Sequence, residues 1–168
     1  FYRETIEFPF FLYHLKDKGA GLKGPGDGRA PKAWVFGTGA NEWRQFDVWP
    51  PREARERSLY LLPGGKLAFE PAPEAKNAFD EYVSDPARPV PVIGQAGEGM
   101  PGDYMSEDQR FASRRPDVLV YETEPLDRDI TIAGPVSPAL RVSTSGTDSD
   151  FIVKLIDVFP NDAPNWSG

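Results

Sequence analysis

The sequence predicts a mainly β fold introduced by one helix. Three observations predict it. Proline and glycine are both abundant, at 18 and 16 of 168 residues, which favours short strands joined by turns. Val118 to Phe159 holds four apolar runs of strand length separated by turn residues. Ahead of them, Tyr2 to Lys16 carries a helical period.

In that first element Ile6, Phe10 and His14 share one face at i, i+4 spacing, with Phe11 and Leu15 beside it. Pro9 lacks an N–H, so a kink or a fresh helix start is expected there. Gly19 to Gly28 reads as a linker. Ala33 to Phe36 is a short apolar strand. Asn41 to Pro51 is a polar, proline-bounded loop holding Trp43, Phe46 and Trp49. Ser58 to Leu62 and Lys66 to Phe69 are strands joined by Pro63-Gly64-Gly65, the pattern of a hairpin with a three-residue connection.

Phe79 to Ser84 is a further strand candidate. Pro86, Pro89 and Pro91 hold the next stretch extended. Val92 to Met105 has four glycines and no period, the signature of a long loop, and such loops often carry function. Then come Val118 to Tyr121, Ile130 to Ile132, Ala139 to Ser145 and Phe151 to Phe159. The last has apolar residues on both faces, which predicts a central, buried strand. Lys154 and Asp157 within it would need partners, such as Arg141 on a neighbouring strand.

Composition excludes several functions. The formal net charge is -7, and the densest basic stretch, Arg52 to Arg57, is interrupted by Glu53 and Glu56. Nucleic acid is therefore not an expected partner. A membrane role is not expected either, with no basic amphipathic helix and no apolar run long enough to span a bilayer. The absence of cysteine removes disulfides and thiolate zinc sites. No signal peptide is visible, and both ends read as cuts in a longer chain.

Catalytic constellations are missing as well. A nucleophile elbow needs G-x-S-x-G; Ser145-Gly146 is the nearest fragment, and it reads as a turn. The only histidine, His14, lies in the helical pattern among aromatics and is expected to be packed or half-buried. Thr147, Asp148 and Asp150 make an acidic turn with too few ligands for Ca²⁺, so an Asx-type turn is expected and neither metal nor cofactor. Trp43, Arg44, Trp49 and Tyr104 are the residues that could stack on a sugar, against the alternative that they are packing aromatics.

A set of short motifs runs the length of the chain. Gly39-Ala40-Asn41-Glu42-Trp43-Arg44 precedes Trp49-Pro50-Pro51. Leu59-Tyr60-Leu61, Gly64-Gly65-Lys66-Leu67 and Tyr82-Val83-Ser84-Asp85-Pro86 follow. Asp108-Gln109-Arg110-Phe111, Arg115-Pro116-Asp117-Val118-Leu119, Ser143 to Asp150 and Lys154-Leu155-Ile156-Asp157-Val158 complete it. In order and spacing these resemble serine hydrolases of the cocaine-esterase and X-Pro dipeptidyl-peptidase-like family, in wording most like the α-amino-acid ester hydrolases and glutaryl-cephalosporin acylases.

The resemblance implies an α/β-hydrolase core, a helical cap and a C-terminal jelly-roll (galactose-binding-like) sandwich. Residues 1–50 would then be the C-terminal end of the core, and 51–168 the N-terminal part of an incomplete jelly roll. The catalytic Ser, Asp and His would lie outside this chain, so none of its residues is expected to be catalytic. Tyr104 and Met105, just before Asp108-Gln109-Arg110, would line one edge of the substrate pocket. The implied partners are the remainder of the same hydrolase and a small ester or amide substrate, with a homo-oligomer also open. The resemblance points to a secreted or periplasmic enzyme. The alternative is a stand-alone jelly-roll module that binds carbohydrate or protein.

Overall fold

The computed structural model describes residues 1–23, 30–73, 78–94, 102 and 104–163. The chain forms two units: Phe1–Glu56 with Asp129–Ser137, and Arg57–Arg128 with Pro138–Gly168.

The first unit opens with one π-helical stretch, Tyr2–Glu7, running into helix α1, Phe8–Lys16. Pro9 sits in the first turn of α1, where its missing N–H has no acceptor to lose. It therefore restarts the helix, as expected. Asp17 ends α1 in the left-handed region, at φ 49°, with its N–H bonded to the Leu12 carbonyl. The predicted face is real: the Phe10 and His14 rings lie 4.4 Å apart. His14 is nevertheless exposed, so the expectation of a packed histidine fails. Among the described residues no second element covers this face of α1 within the unit.

Strands β1 (Ala33–Gly37) and β2 (Glu42–Phe46) pair antiparallel. The expected loop at 41–51 is thus a strand in its first half. Asn41, at φ 52°, makes the tight reversal, and Trp43 then falls opposite Phe36. Cross-strand aromatic pairs of this kind hold a hairpin together; here the rings are 5.4 Å apart. Phe1 stacks on Trp43 at 5.5 Å and meets Trp34 edge-on at 6.2 Å. Tyr2 adds a second stacked ring on Trp43 at 6.3 Å. The hairpin and the N-terminal helical stretch are joined by these aromatics. Trp34 Nε1 is buried there without a hydrogen-bond partner among the described residues.

In the second unit β3 (Tyr60–Leu62) and β4 (Lys66–Ala68) form the predicted hairpin. Gly64 and Gly65 turn it with φ of 78° and 73°, values that side chains with a Cβ rarely adopt. The run after Leu119 lies alongside: Lys66 and Glu122 make a parallel bridge, with Leu67 N–H to Glu122 O and Glu122 N–H to Gly65 O both at 2.9 Å. A short 3-10 turn, Tyr104–Ser106, leads to helix α2, Arg110–Ser113. Neither helical piece was foreseen.

Residues 118–121, 130–132, 139–145 and 151–159 form no ladder among the described residues, and neither does Phe79 to Ser84; beside β4 only Glu122 makes an isolated bridge. This corrects the expectation of regular strands there. Alternation supplies the side-chain pattern, but a strand also needs a neighbour to take its N–H and C=O groups. Phe151–Phe159 is likewise exposed and not buried, with Ile152 at 85% and Val158 at 65%. Lys154 and Asp157 do not pair with Arg141 among the described residues. Apart from the leading helix and the two short helical pieces before and at α2, the described ladders are β hairpins, and the mainly β class stands.

Very few of the described residues are buried within the chain. Ala112, on α2, is the one buried apolar residue among those described. No described helix is long and apolar enough to cross a membrane.

Candidate functional site

The sequence singled out Tyr104 and Met105, and the structure puts both on the 3-10 turn that precedes α2. Tyr104 is half-buried and Met105 is 81% exposed. An exposed thioether is a flexible apolar contact group.

The residues that follow fix this turn in place. Asp108 accepts the Arg110 N–H at 2.9 Å and the Arg110 guanidinium at 2.6 Å. That closes the start of α2, where backbone donors are otherwise unmet. The Arg110 hydrogen bonds hold the Asp108 carboxyl down at about 2. Gln109 uses both ends of its amide. Its Nε2 donates to the Glu107 carbonyl at 2.8 Å, and its Oε1 accepts from Lys154 Nζ at 2.7 Å. Lys154 also donates to the Val92 carbonyl at 3.4 Å. The Glu107 carboxylate accepts the Gly94 N–H at 3.0 Å. Three segments distant in sequence meet here through a handful of polar groups.

A second anchor lies past α2. Arg115 forks onto both oxygens of Asp117 at 2.8 and 2.6 Å and donates to the Arg88 carbonyl at 2.9 Å. The hydrogen bond from Arg115 lowers the Asp117 carboxyl below its ordinary value. Asp85 in turn caps its own turn, accepting the Ala87 N–H at 2.9 Å. The proline-rich stretch is thereby tied to the end of α2.

One groove is present beside β3, with a volume of about 280 Å³ and walls from Tyr60 to Pro63, Ala72 and Ala78 to Asp80. Asp80 at its edge accepts the Tyr121 hydroxyl at 2.6 Å. Burial and this carboxylate push the Tyr121 phenol up to about 12. Neither Tyr104 nor Met105 lines the groove.

Among the described residues no catalytic set assembles. His14 has the rings of Phe10 and Tyr13 as neighbours, and no carboxylate orients it among the described residues. Thr144 and Asp148 bond the Gly146 and Ser149 amides, so the acidic stretch is a turn, as expected. No group of three or more metal-ligating side chains occurs among the described residues. Of the aromatics that could stack on a sugar, Trp43 is already covered by Phe1 and Tyr2, and Trp49 is edge-on to Phe46 at 5.3 Å. Arg44 is spent on Glu42 at 2.7 Å.

Residues 23–166 match the family described as the X-Pro dipeptidyl-peptidase C-terminal non-catalytic domain. The chain belongs to that family. Similarity extends over 94% of the chain to the cocaine esterase of a Rhodococcus species, at 36% identity. Among solved structures it resembles an aminopeptidase from a marine-sediment Thaumarchaeota archaeon, at 42% identity over 74% of the chain and a TM-score of 0.60. It also resembles an α-amino acid ester hydrolase, at 35% identity over 74% and a TM-score of 0.55. The expected tie to the cocaine-esterase and X-Pro dipeptidyl-peptidase-like serine hydrolases therefore holds. This domain spans 28% of the length of the cocaine esterase and 20% and 21% of the two solved chains.

Glu107 had no role in the sequence reading, which paired Lys154 with Arg141 instead of Gln109. Gln109 stood in a recognised motif, but its two bonding partners are 2 and 45 residues away. Spacing could have flagged Asp108 with Arg110 and Arg115 with Asp117, each two residues apart, as local ion pairs.

Proposed function

We propose that this chain is the C-terminal scaffold of a serine acyl hydrolase whose catalytic Ser, Asp and His lie in the remainder of the polypeptide. Residues 1–50 form the end of the α/β-hydrolase core, and 51–168 the first part of its jelly roll. The observation that carries this is the match of 23–166 to a non-catalytic domain that makes up a minor part of its hydrolytic relatives. The exposed apolar residues of 151–159 support it, because such a surface needs a cover to stay soluble.

In the complete enzyme the serine hydroxyl attacks the carbonyl carbon of an ester or amide while histidine takes its proton. The alcohol or amine leaves with that proton. Water then hydrolyses the acyl-enzyme and regenerates the serine. An α-amino acyl ester or a β-lactam-type amide is the substrate class. Tyr104 and Met105 supply one apolar edge of the pocket, and the rest of this chain supplies packing surface.

A serine-directed fluorophosphonate tests the reading on the complete polypeptide. Peptide mapping is expected to find the label outside these 168 residues, and this chain alone is expected to stay unlabelled and inert towards p-nitrophenyl esters. A label on any serine of this chain overturns the proposal.

A further inference from the structure

Val92 and Gly94 lie on one side of the loop that ends in Tyr104 and Met105, and Glu107 and Gln109 lie on the other. Three hydrogen bonds draw the two sides together, and a fourth, from Gln109 to Glu107, braces one of them. Gly94 N–H reaches the Glu107 carboxylate at 3.0 Å, and Gln109 Nε2 reaches the Glu107 carbonyl at 2.8 Å. Lys154 Nζ bridges Gln109 Oε1 at 2.7 Å and the Val92 carbonyl at 3.4 Å. The ammonium thus bonds to both sides at once, from a third segment far along the chain.

Two features make this arrangement specific. Gln109 must donate at one end and accept at the other, which an amide can do and a carboxylate cannot. At Gly94 an added Cβ would come within 3.1 Å of the Phe111 ring and 3.3 Å of Glu107 Oε1. A side chain at this position would need the Phe111 ring or the Glu107 carboxylate to give by a few tenths of an ångström. The approach and the polar bonds act on the same residues.

We infer that Lys154, through Gln109, is a positioning residue for the substrate pocket: it clamps the base of the loop and so sets the placement of Tyr104 and Met105. This rests on the proposal that those two side chains form the pocket edge. Lys154 touches no substrate. Its charge is used in an otherwise apolar segment to fix a turn whose first residue is 50 positions earlier in the chain, by the numbering of Tyr104 and Lys154. A pocket wall carried on a loop needs such bracing, because displacement of a positioning group by about 1 Å is enough to cost substantial activity.

The test uses the complete hydrolase, with p-nitrophenyl acetate and p-nitrophenyl phenylacetate as probes. Lys154→Met keeps the length and apolar stem but removes both hydrogen bonds. It is expected to raise KM for the phenylacetyl ester roughly five- to ten-fold with kcat within about two-fold, because the loss is of ground-state binding. Lys154→Arg is expected to restore most of the affinity. Gln109→Glu keeps an acceptor for Lys154 but loses the donor to Glu107, and is expected to raise KM as well. Amide exchange at Gly94 is expected to quicken in Lys154→Met.

Met105→Ala separates the two levels of the argument. If Met105→Ala raises KM and Lys154→Met does not, the clamp is refuted while the pocket edge stands. If Met105→Ala leaves KM unchanged, the pocket edge fails and the positioning role falls with it. A rise in KM for Lys154→Met without faster exchange at Gly94 also overturns the inference, since the effect then bypasses the loop base.

Discussion

Gly65→Ala is expected to open the β3–β4 hairpin from the segment bridged to it at Glu122. The backbone there stands at φ 73°, and an added Cβ would lie 2.9 Å from the Val120 carbonyl oxygen. Gly64 is the natural control. It has a similar φ of 78° but nothing within 4 Å of its Cβ position. Gly64→Ala therefore carries only the left-handed conformational penalty, about 1–2 kcal/mol. Gly65→Ala carries that penalty plus the crowding, which adds about 1–3 kcal/mol when backbone must shift.

The crowding falls where it does most damage, because Gly65 O accepts the Glu122 N–H and Glu122 O accepts the Leu67 N–H. Hydrogen exchange at the Leu67 and Glu122 amides reads the opening directly. With ten-fold in rate for each 1.4 kcal/mol, Gly64→Ala should speed exchange about ten-fold and Gly65→Ala at least about 30-fold. Equal acceleration in the two variants would refute the reasoning, since it would leave the contact with Val120 without consequence.

Other expectations are equally direct. The Tyr121 phenol, held up to about 12 by burial and by Asp80, should ionise well above the ordinary phenol value of 10.0 in an ultraviolet titration. Its raised value means that its contribution to stability is full below pH 10.0 and is lost as pH rises through about 12. Asp80→Asn should bring that titration down, and an unmoved phenol would exclude the carboxylate as a cause. Arg115→Lys should let the Asp117 carboxyl rise towards 3.8, because an ammonium cannot fork onto both oxygens. The depressed carboxyl stabilises above that value and loses its contribution as pH falls through its own lower one, so the variant should be less acid-sensitive at this site. A carbon-13 titration of Asp117 that is identical in both proteins would dismiss the fork. Gly134→Ala would place a Cβ 2.9 Å from Pro50 Cγ, and should shift the emission of the adjacent Trp49; an emission spectrum unchanged from the parent would show that Pro50 moves freely.

Local chemistry was legible in the sequence. Pro9 restarted a helix, Pro63-Gly64-Gly65 made a hairpin, and the motif series identified the family. Each of these signals is carried by residues close together or by a fixed order of short words. The misses share the opposite property. Trp43 became part of a strand because Phe36 faces it across the hairpin and Phe1 and Tyr2 cover it. Lys154 found Gln109 and Val92 and not Arg141, because the choice of partner depends on which segment packs alongside. The run 151–159 had the alternation of a buried strand, but burial is a property of two surfaces. Of the site itself, Tyr104 and Met105 were named by resemblance, while the polar groups that hold their loop became visible only from coordinates.

The openness of 151–159 has a consequence for how mutations in this chain will be ranked. Ile152 is 85% exposed and Ala112 is 9% exposed. In a screen of the isolated chain, Ile152→Asp should score as harmless and a large residue at Ala112 as damaging. In the complete hydrolase proposed above, covering the segment would make the Ile152 change severe as well. The information written in 151–159 is then addressed to another surface, and its meaning is read only when that surface is present.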